Sequence, residues 1–266
     1  MASLLTQTLD ARGVARLTLN RPEVFNAFDE ALIAEITQAY LQLGADESVR
    51  AVVLAGAGKA FCAGADVQWM RRAAERPLEW NEADAGRFAA MMAAIAECPK
   101  PTVALVHGVA LGGGAGLIAA SDIAIATPGA QIAVSEARLG LIPSVIAPYL
   151  VNAVGLRQAR RLGLTASRIG AQEALQMGLL HEVADDLEAA LERWLAELMA
   201  CGPAAQSELK RLFAQLAPGP VTPALRELTR RTIARVRGSV EAREGLAAFL
   251  EKRPARWVPN KKEDET

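Results

Sequence analysis

Two short segments rich in glycine and alanine constrain this chain most, because each lies where a strand-like apolar run gives way to a probable helix. They are Phe61–Asp66 and Ala110–Leu117. The first backbone N–H groups of a helix have no partner within it, and small residues let another group approach the backbone closely. Two such segments predict a pair of N–H donors for a developing negative charge on a carbonyl oxygen, an oxyanion hole.

Short β-branched runs alternate with helical patterns in the first half of the chain, which is typical of an α/β layered fold. The predicted strands are Val14–Leu19, Val49–Ala55, Thr102–Val106, Asp122–Ala126 and Gln131–Val134. The early predicted helices, with Asp29 and Asp66 as N-caps, are Asp29–Leu43, Val67–Ala74 and Trp80–Ala96. After Pro143 the predicted elements are mostly helices: Val145–Ala153, Arg157–Leu162, Ala171–Met177, Leu187–Cys201, Ala204–Gln215, Pro223–Val236 and Val240–Leu250.

The charge balance argues against a general attraction to nucleic acids or anionic membranes. The 266 residues include 29 Lys and Arg against 30 Asp and Glu, for a formal net charge of -1. The three cysteines and two histidines, which lack metal-ligand spacing, are Cys62, Cys98, Cys201, His107 and His181. No metal is therefore predicted, and the cysteine usage suits a reducing cytoplasm. The first ten residues show no signal-peptide pattern, and the polar last seven are expected to be disordered.

Neither glycine-rich loop fits a nucleotide-binding motif. The dinucleotide pattern G-x-G-x-x-G, started at Gly112, requires a glycine where Leu117 stands. The segment Gly56–Ala60 also fails as a phosphate-binding P-loop, because its first glycine is replaced by Val53 and its Ser or Thr by Ala60. An ordinary role in tight turns remains an alternative for either cluster alone.

Several motifs in one order resemble the enoyl-CoA hydratase/isomerase (crotonase) family along nearly the whole chain. Phe61–Asp66 resembles the family's first oxyanion segment, and Lys100–Gly116 the second. The other similar segments are Leu19–Glu23 with Asn26-Ala27, the catalytic-glutamate segment Ser135–Pro143 and the C-terminal Phe249–Pro254. By position alone, Ser135–Arg138 is also compatible with an ordinary helix turn that carries an exposed acid.

The resemblance implies a spiral of ββα units in residues 1–200 and a helical oligomerisation region in residues 201–266. It implies a homotrimer or homohexamer acting on an acyl-CoA thioester, with no cofactor beyond the coenzyme A of the substrate. The backbone N–H groups of Ala65 and Gly113 would hold the thioester oxygen, and the carboxylate of Glu136 would face the reacting carbons. The residues expected to contact substrate or coenzyme A are Ala63, Ala65, Asp66, Gly112, Gly113, Gly116 and Lys252, with Arg253 beside the last.

Gly116 departs from the family pattern, because the best-known hydratases carry a second catalytic glutamate there. Family members with the single glutamate include Δ3,Δ2-enoyl-CoA isomerases, although other single-glutamate members are hydratases. The segment Gly140–Tyr149 resembles a bacterial branch associated with 3-methylglutaconyl-CoA hydration. A carboxylate on the acyl group would be repelled by a second glutamate, by about 3 kcal/mol at roughly 5 Å and an effective dielectric constant of about 20.

The sequence thus favours an enoyl-CoA hydratase, with isomerase as the alternative and a non-catalytic RNA-binding or structural protein as a further one. The last alternative arises from an arginine-rich stretch at helical spacing: Arg226, Arg230, Arg231, Arg235 and Arg237. Interspersed glutamates dilute its charge and no aromatic residues for base stacking accompany it, so nucleic acid is not an expected partner. His107 is expected in the core or pocket wall, and Cys62 is expected to pack rather than to act as a nucleophile.

Overall fold

A computed structural model describes residues 3–259 of the chain; residues 260–266, expected to be disordered, lie outside this range. Nine strands occur in it: β1 Leu5–Leu9, β2 Val14–Leu19, β3 Ala51–Gly56, β4 Thr102–Val106, β5 Val109–Leu111, β6 Ile123–Ala126, β7 Gln131–Ala133, β8 Arg168–Gly170 and β9 Glu182–Val183. One sheet has the order β1-β2-β3-β4-β6-β9 and is parallel except for the β1–β2 pair. The second has the order β5-β7-β8.

The described range contains ten α-helices, and the last three follow one another without an intervening strand. They are α1 Glu30–Ala45, α2 Val67–Ala74, α3 Leu78–Ala96, α4 Gly113–Ala120, α5 Ala147–Thr165, α6 Ala171–Gln176, α7 Leu187–Ala200, α8 Pro203–Phe213, α9 Pro223–Arg237 and α10 Val240–Leu250. This is the predicted α/β architecture with a helical C-terminal region. None of these helices combines the length and apolar character needed to cross a bilayer.

The central strands of the larger sheet are buried on both faces, which explains why they are continuous apolar runs. Along β3, Val52 and Leu54 belong to the main core, which also takes in residues of α1, α3, α4 and α5. The alternate residue Val53 belongs to a second core on the opposite face, with Leu191 and Leu195 of α7. Because successive side chains of a strand point to opposite faces, one apolar run supplies both layers.

Local signals at the start of α1 and α2 are confirmed, and so is the predicted break between Ala153 and Arg157 within α5. Oδ1 of Asp29 accepts the N–H of Leu32 at 3.0 Å, the interaction of an N-cap. The two predicted helices Val145–Ala153 and Arg157–Leu162 correspond to the two halves of α5, which are separated by non-helical backbone at Gly155, where φ is +74°. Glycine tolerates this backbone conformation because it has no Cβ.

One bridge joins the two glycine- and alanine-rich segments, and a second joins the first segment to Phe28. Phe28 pairs with Ala65 and Cys62 pairs with Ala110, each in a parallel bridge outside the main strands. The first segment leads into α2 and the second into α4. Both helix starts therefore lie at one place in the fold.

Candidate active site

One cavity of about 800 Å³ is lined by residues of both segments. Five of the residues predicted to bind or transform substrate contribute to its wall: Ala63, Ala65, Gly112, Gly113 and Glu136. The remaining predicted residues, Asp66, Gly116 and Lys252, are not part of this lining. A larger surface depression of about 1030 Å³ lies elsewhere, along α5 and α6, and contains none of these groups.

The backbone N–H groups of Ala65 and Gly113 donate to no other group in residues 3–259. Their neighbours are engaged: the N–H of Asp66 donates to the carbonyl of Phe28 at 3.0 Å, and that of Gly112 to the carbonyl of Ala133 at 2.8 Å. Gly113 is the first residue of α4, where a helix leaves its N–H groups without an internal partner. Two unpartnered amides in the wall of one cavity have the composition of an oxyanion hole.

The small residues around these amides are required by close packing of the backbone. A Cβ on Gly64 would lie 2.5 Å from the carbonyl oxygen of Leu111 and 3.4 Å from the nitrogen of Gly113. The backbone of Gly64 has a φ of +86°, which also favours glycine. A Cβ on Gly113 would overlap the ring of Phe28. Side chains at these positions would therefore push the two donor segments apart.

Glu136 provides the one ionisable side chain among the residues lining the cavity. It begins a short 3₁₀ turn, Glu136–Leu139, and its Oε2 is buried without a hydrogen-bond partner among the described residues. A Cβ on Gly112 would lie 3.1 Å from its Oε1, so the carboxylate lies against the start of the second oxyanion segment. Burial raises the pKa of this carboxyl group, although nearby backbone N–H groups oppose the shift. A desolvated carboxylate beside N–H donors is suited to act as a general base.

Gly116 lies within α4 and is buried against neighbouring side chains rather than exposed to the cavity. A Cβ at this position would overlap Cγ2 of Ile146, lie 2.9 Å from its Cβ and lie 3.3 Å from Cε of Met92. Ile146 itself lines the cavity. The place where the best-known hydratases carry a second glutamate is therefore closed by an apolar side chain.

The rest of the cavity wall is largely apolar and aromatic. The ring of Phe28 lies 5.2 Å from that of Phe88 and 6.3 Å from that of Trp69, measured between centroids. Ile142 and Val145, from the segment between the 3₁₀ turn and α5, complete the wall. Sequence reasoning did not identify these five residues, because they come from four separate parts of the chain; the one available signal was the apolar run after Gly140.

Asp66, Lys252 and Arg253, which were expected near coenzyme A, lie outside the lining of the cavity. Asp66 is the N-cap of α2, as predicted, since its Oδ1 accepts the N–H of Gln68 at 2.8 Å. Lys252 follows α10 with a φ of +53° and is exposed. Its neighbour Arg253 pairs with Glu244 at 2.7 Å and with Glu251 at 2.6 Å. Lys252 as a coenzyme A contact stays a prediction.

The residues that suggested other chemistry are engaged in structural contacts. Burial raises the pKa of Cys62 to about 12, which keeps its thiol protonated and poorly nucleophilic. Nε2 of His107 lies 3.0 Å from the carbonyl oxygen of Gly58. On α9, Arg230 pairs with Glu227 at 2.8 Å and Arg235 pairs with Glu208 at 2.7 Å. These ion pairs reduce the basic character of the arginine-rich helix.

Comparison with known proteins identifies the family to which this fold belongs. The enoyl-CoA hydratase/isomerase family profile matches residues 10–260. A probable enoyl-CoA hydratase of Rhodobacter capsulatus is 37% identical over 252 residues, covering 93% of this chain and 95% of the relative. A putative enoyl-CoA hydratase of Thermus thermophilus is 36% identical over 245 residues, covering 92% and 97%. The crystal structure of an enoyl-CoA hydratase from Shewanella pealeana superposes with a TM-score of 0.93 at 43% identity, covering 96% of each chain.

The chain therefore belongs to the enoyl-CoA hydratase/isomerase family. It is an enzyme of that family with the crotonase fold, as the order of its motifs predicted.

Proposed function

We propose that the protein adds water across the α,β double bond of an enoyl-CoA thioester. The observation that carries the proposal is the combination, in one cavity, of two unpartnered backbone amides with a single buried carboxylate. A thioester oxygen held by Ala65 and Gly113 accepts the electron pair displaced from the double bond. Glu136 has the position and the raised pKa of the group that removes a proton from the attacking water.

The proposed reaction balances with water as the co-reactant. The water oxygen bonds to the β-carbon, one of its protons passes to Glu136, and the electron pair of the double bond moves onto the thioester oxygen as an enolate. The α-carbon then takes a proton, supplied by a bound water that Glu136 in turn reprotonates, and the carbonyl reforms. Two N–H donors stabilise the enolate oxygen more than the neutral carbonyl oxygen, which lowers the barrier. No metal, flavin or nicotinamide takes part in these steps.

A substrate panel tests this proposal. The wild type and Glu136→Gln are each incubated with crotonyl-CoA, 3-methylglutaconyl-CoA and a 3-enoyl-CoA. The masses of the products are measured by mass spectrometry. We expect a 2-enoyl-CoA to gain the mass of one water with the wild type and to react about 10²–10⁴-fold more slowly with the variant. If the wild type converts none of the three substrates, the proposal is contradicted.

Isomerisation of a 3-enoyl-CoA to the 2-enoyl-CoA is the second candidate, and the closed position at Gly116 favours it. Isomerisation needs one carboxylate to carry a proton between two carbons, whereas the best-known hydratases use two carboxylates on one water. In this protein Ile146 fills the space that a second carboxylate at position 116 would need. In the same panel, a product of unchanged mass with a moved double bond would select isomerisation over hydration.

A branched, carboxylated acyl group of the 3-methylglutaconyl type is our proposal for the substrate of the hydratase. Glu136 is the sole carboxylate among the lining residues, so a carboxylate on the acyl group would be repelled by no other acidic side chain of the cavity wall. Arg71 lies on the face of α2 that carries Val67 and Ala74, four and three residues away, and both of these line the cavity. Arg71 is exposed and forms no ion pair within residues 3–259. This arginine is the partner we propose for the distal carboxylate.

Arg71→Met tests this choice, with Arg72→Met as the matched control. Arg72 is the next residue on α2 and already pairs with Glu30 at 2.9 Å. We expect Arg71→Met to lower kcat/KM for 3-methylglutaconyl-CoA by about five-fold while leaving kcat/KM for crotonyl-CoA unaffected, because one partly exposed charge pair is worth about 1 kcal/mol. Equal effects on both substrates, or none, would contradict the choice of a carboxylated acyl group.

Self-association into a homotrimer or homohexamer is also part of the proposal. The three C-terminal helices carry large apolar side chains that are mostly exposed: Phe213, Val240, Leu246, Phe249 and Leu250. Within residues 3–259, α8 and α9 contain no fully buried residue. Exposed apolar surface of this kind is typical of an interface, here between copies of this chain. Light scattering after size exclusion would show three or six subunits, and a monomer at micromolar concentration would contradict this part.

A further inference from the structure

The backbone on both sides of the Ala65 amide is held by one neighbouring segment, residues 25–29. The N–H of Phe28 donates to the carbonyl of Gly64 at 2.8 Å, and the N–H of Asp66 donates to the carbonyl of Phe28 at 3.0 Å. The N–H of Ala63 donates to the carbonyl of Phe25 at 2.9 Å. The direction of the Ala65 N–H therefore depends on where segment 25–29 lies.

A single guanidinium fixes segment 25–29 against the start of α2. Nη1 of Arg21 donates to the carbonyl of Ala27 at 2.6 Å, and Nη2 donates to Oδ2 of Asp66 at 3.0 Å. Nη1 also lies 3.2 Å from Oδ2 of Asp29. Only 14% of the Arg21 side chain and 11% of the Asp66 side chain are exposed, so solvent screens this pair weakly.

The two aspartates that Arg21 joins are the N-caps of different helices. Asp29 caps α1, and Asp66 caps α2 directly after the Ala65 donor. Hydrogen bonding to Gln68 and Trp69, together with the Arg21 guanidinium, lowers the pKa of Asp66 against the opposing effect of burial. The planar guanidinium can meet a carbonyl and two carboxylates at fixed angles, which the single ammonium of a lysine cannot do.

Asn26 supports the same segment from its other side. Its Nδ2 donates to the carbonyls of Ala57 at 2.8 Å and Ala60 at 2.7 Å, and its Oδ1 accepts the N–H of Arg21 at 3.0 Å. Asn26 is fully buried and has a φ of +56°. The segment therefore has few alternative positions as long as the Arg21 guanidinium stays in place.

We propose that Arg21 is a positioning residue for the oxyanion hole. Through its hydrogen bonds to the carbonyl of Ala27 and the carboxylate of Asp66, Arg21 keeps the Ala65 N–H directed at the thioester oxygen. This inference rests on the proposed function, since it concerns the same oxyanion hole. Arg21 does not line the cavity and does not touch the site of reaction. Its effect is geometric: an oxyanion donor acts over a narrow range of distances, and a displacement of about 1 Å in catalytic geometry costs about 10²-fold in rate.

The test compares Arg21→Met and Arg21→Lys with Arg12→Met. Arg12 is a matched control because its guanidinium also pairs with two carboxylates, Asp10 at 2.9 Å and Glu192 at 2.6 Å, and neither lines the cavity. We expect Arg21→Met to lower kcat by about ten-fold or more with KM changed by less than about three-fold. Arg21→Lys is expected to recover part of the loss, and Arg12→Met to match the wild type.

A spectroscopic measurement separates positioning from general destabilisation. Saturated butyryl-CoA does not react, and its thioester C=O stretch is lowered when two N–H groups donate to the oxygen. Difference infrared spectra of bound butyryl-CoA should show this lowering in the wild type and in Arg12→Met, and a smaller lowering in Arg21→Met. If Arg21→Met fails to fold, Arg21→Lys and Asp66→Asn are compared in its place.

The proposal is overturned if a folded Arg21 variant keeps the wild-type carbonyl frequency, whether or not its melting temperature falls. The proposed function fails on a different result, namely absence of turnover by the wild type in the substrate panel. Because butyryl-CoA binding needs no turnover, the infrared result would still decide the role of Arg21 in that case.

Discussion

Gly116 packs so closely against Ile146 that a side chain on the glycine would overlap Cγ2 of the isoleucine. The sequence suggested that glycine stands here to spare a carboxylated substrate from charge repulsion. The structure supplies a second reason, which is packing: Ile146 occupies the space that a side chain at this position needs. Substitution of Gly116 alone therefore changes packing and charge together, and the effect of charge can be measured only in a variant that also shortens Ile146.

The contact between Gly116 and Ile146 predicts that Gly116→Ala lowers the free energy of unfolding by about 1–3 kcal/mol. The control is Gly86→Ala in α3, where a Cβ would meet no atom of residues 3–259 within 4 Å, and this change should stabilise the protein by up to about 1 kcal/mol. Adding Ile146→Ala to Gly116→Ala should cost less than the sum of the two single changes. Urea unfolding measures all of these, and strict additivity would show that the two residues do not compete for space.

Oε2 of Glu136 is buried without a hydrogen-bond partner among the described residues. We therefore expect replacement of this carboxylate to lower activity and to raise stability. Glu136→Gln should lose about 10²–10⁴-fold in kcat because an amide cannot accept the proton of water. The same variant should be more stable than the wild type at pH 7, by about 1 kcal/mol, since it removes a desolvated charge. Thermal unfolding beside the activity assay checks both; a less stable variant would mean that the carboxylate has a partner that stabilises it.

The raised pKa of Glu136 fixes the sign of two pH dependences. Activity requires the carboxylate, so kcat/KM should fall on the acid side with an apparent pKa above that of an ordinary glutamate. The protonated form is favoured by folding, so this group's contribution to stability is present below the ordinary glutamate pKa and is lost as pH rises through the raised value. The stability advantage of Glu136→Gln should accordingly grow with pH across this window, whereas a constant advantage would contradict a shifted pKa.

The closeness of Gly112 to Glu136 predicts a large effect of one methyl group. A Cβ on Gly112 would lie 3.1 Å from Oε1 of Glu136, so Gly112→Ala should displace the carboxylate and lower kcat by about ten-fold or more. Gly155→Ala is the control, because Gly155 also has a positive φ, +74°, but a Cβ there would meet no atom of the described residues within 4 Å. If both variants lose activity equally, backbone strain and not the contact with Glu136 is responsible.

Features that depend on local signals could be predicted from the sequence. Asp29 and Asp66 cap their helices as expected, and β2, β4 and α10 begin and end at the predicted residues. Each of these is specified by a short run of neighbouring residues. The sequence also predicted that Ala65 and Gly113 lie in one cavity. That prediction came from the resemblance of its ordered motifs to a family, and the distance between the two residues could not be derived.

Features that depend on distant parts of the chain could not be predicted. Strands β8 and β9 have three and two residues, too few for an alternating pattern, and exist because β7 and β6 lie beside them. The contact of Ile146 with Gly116 joins α4 to the start of α5. The ion pair of Arg21 with Asp66 spans 45 positions, and nothing in either local sequence indicates it.

If Glu136 and the amides of Ala65 and Gly113 direct water to the β-carbon of an enoyl-CoA, the oxygen of labelled water must enter the product at that carbon. A 2-enoyl-CoA is incubated in H₂¹⁸O with the wild type and with Glu136→Gln, each at a substrate concentration that saturates the enzyme. We expect a 3-hydroxyacyl-CoA that carries ¹⁸O at the β-carbon, formed about 10²–10⁴-fold more slowly by the variant. A product without ¹⁸O, or equal rates for the two proteins, would contradict it.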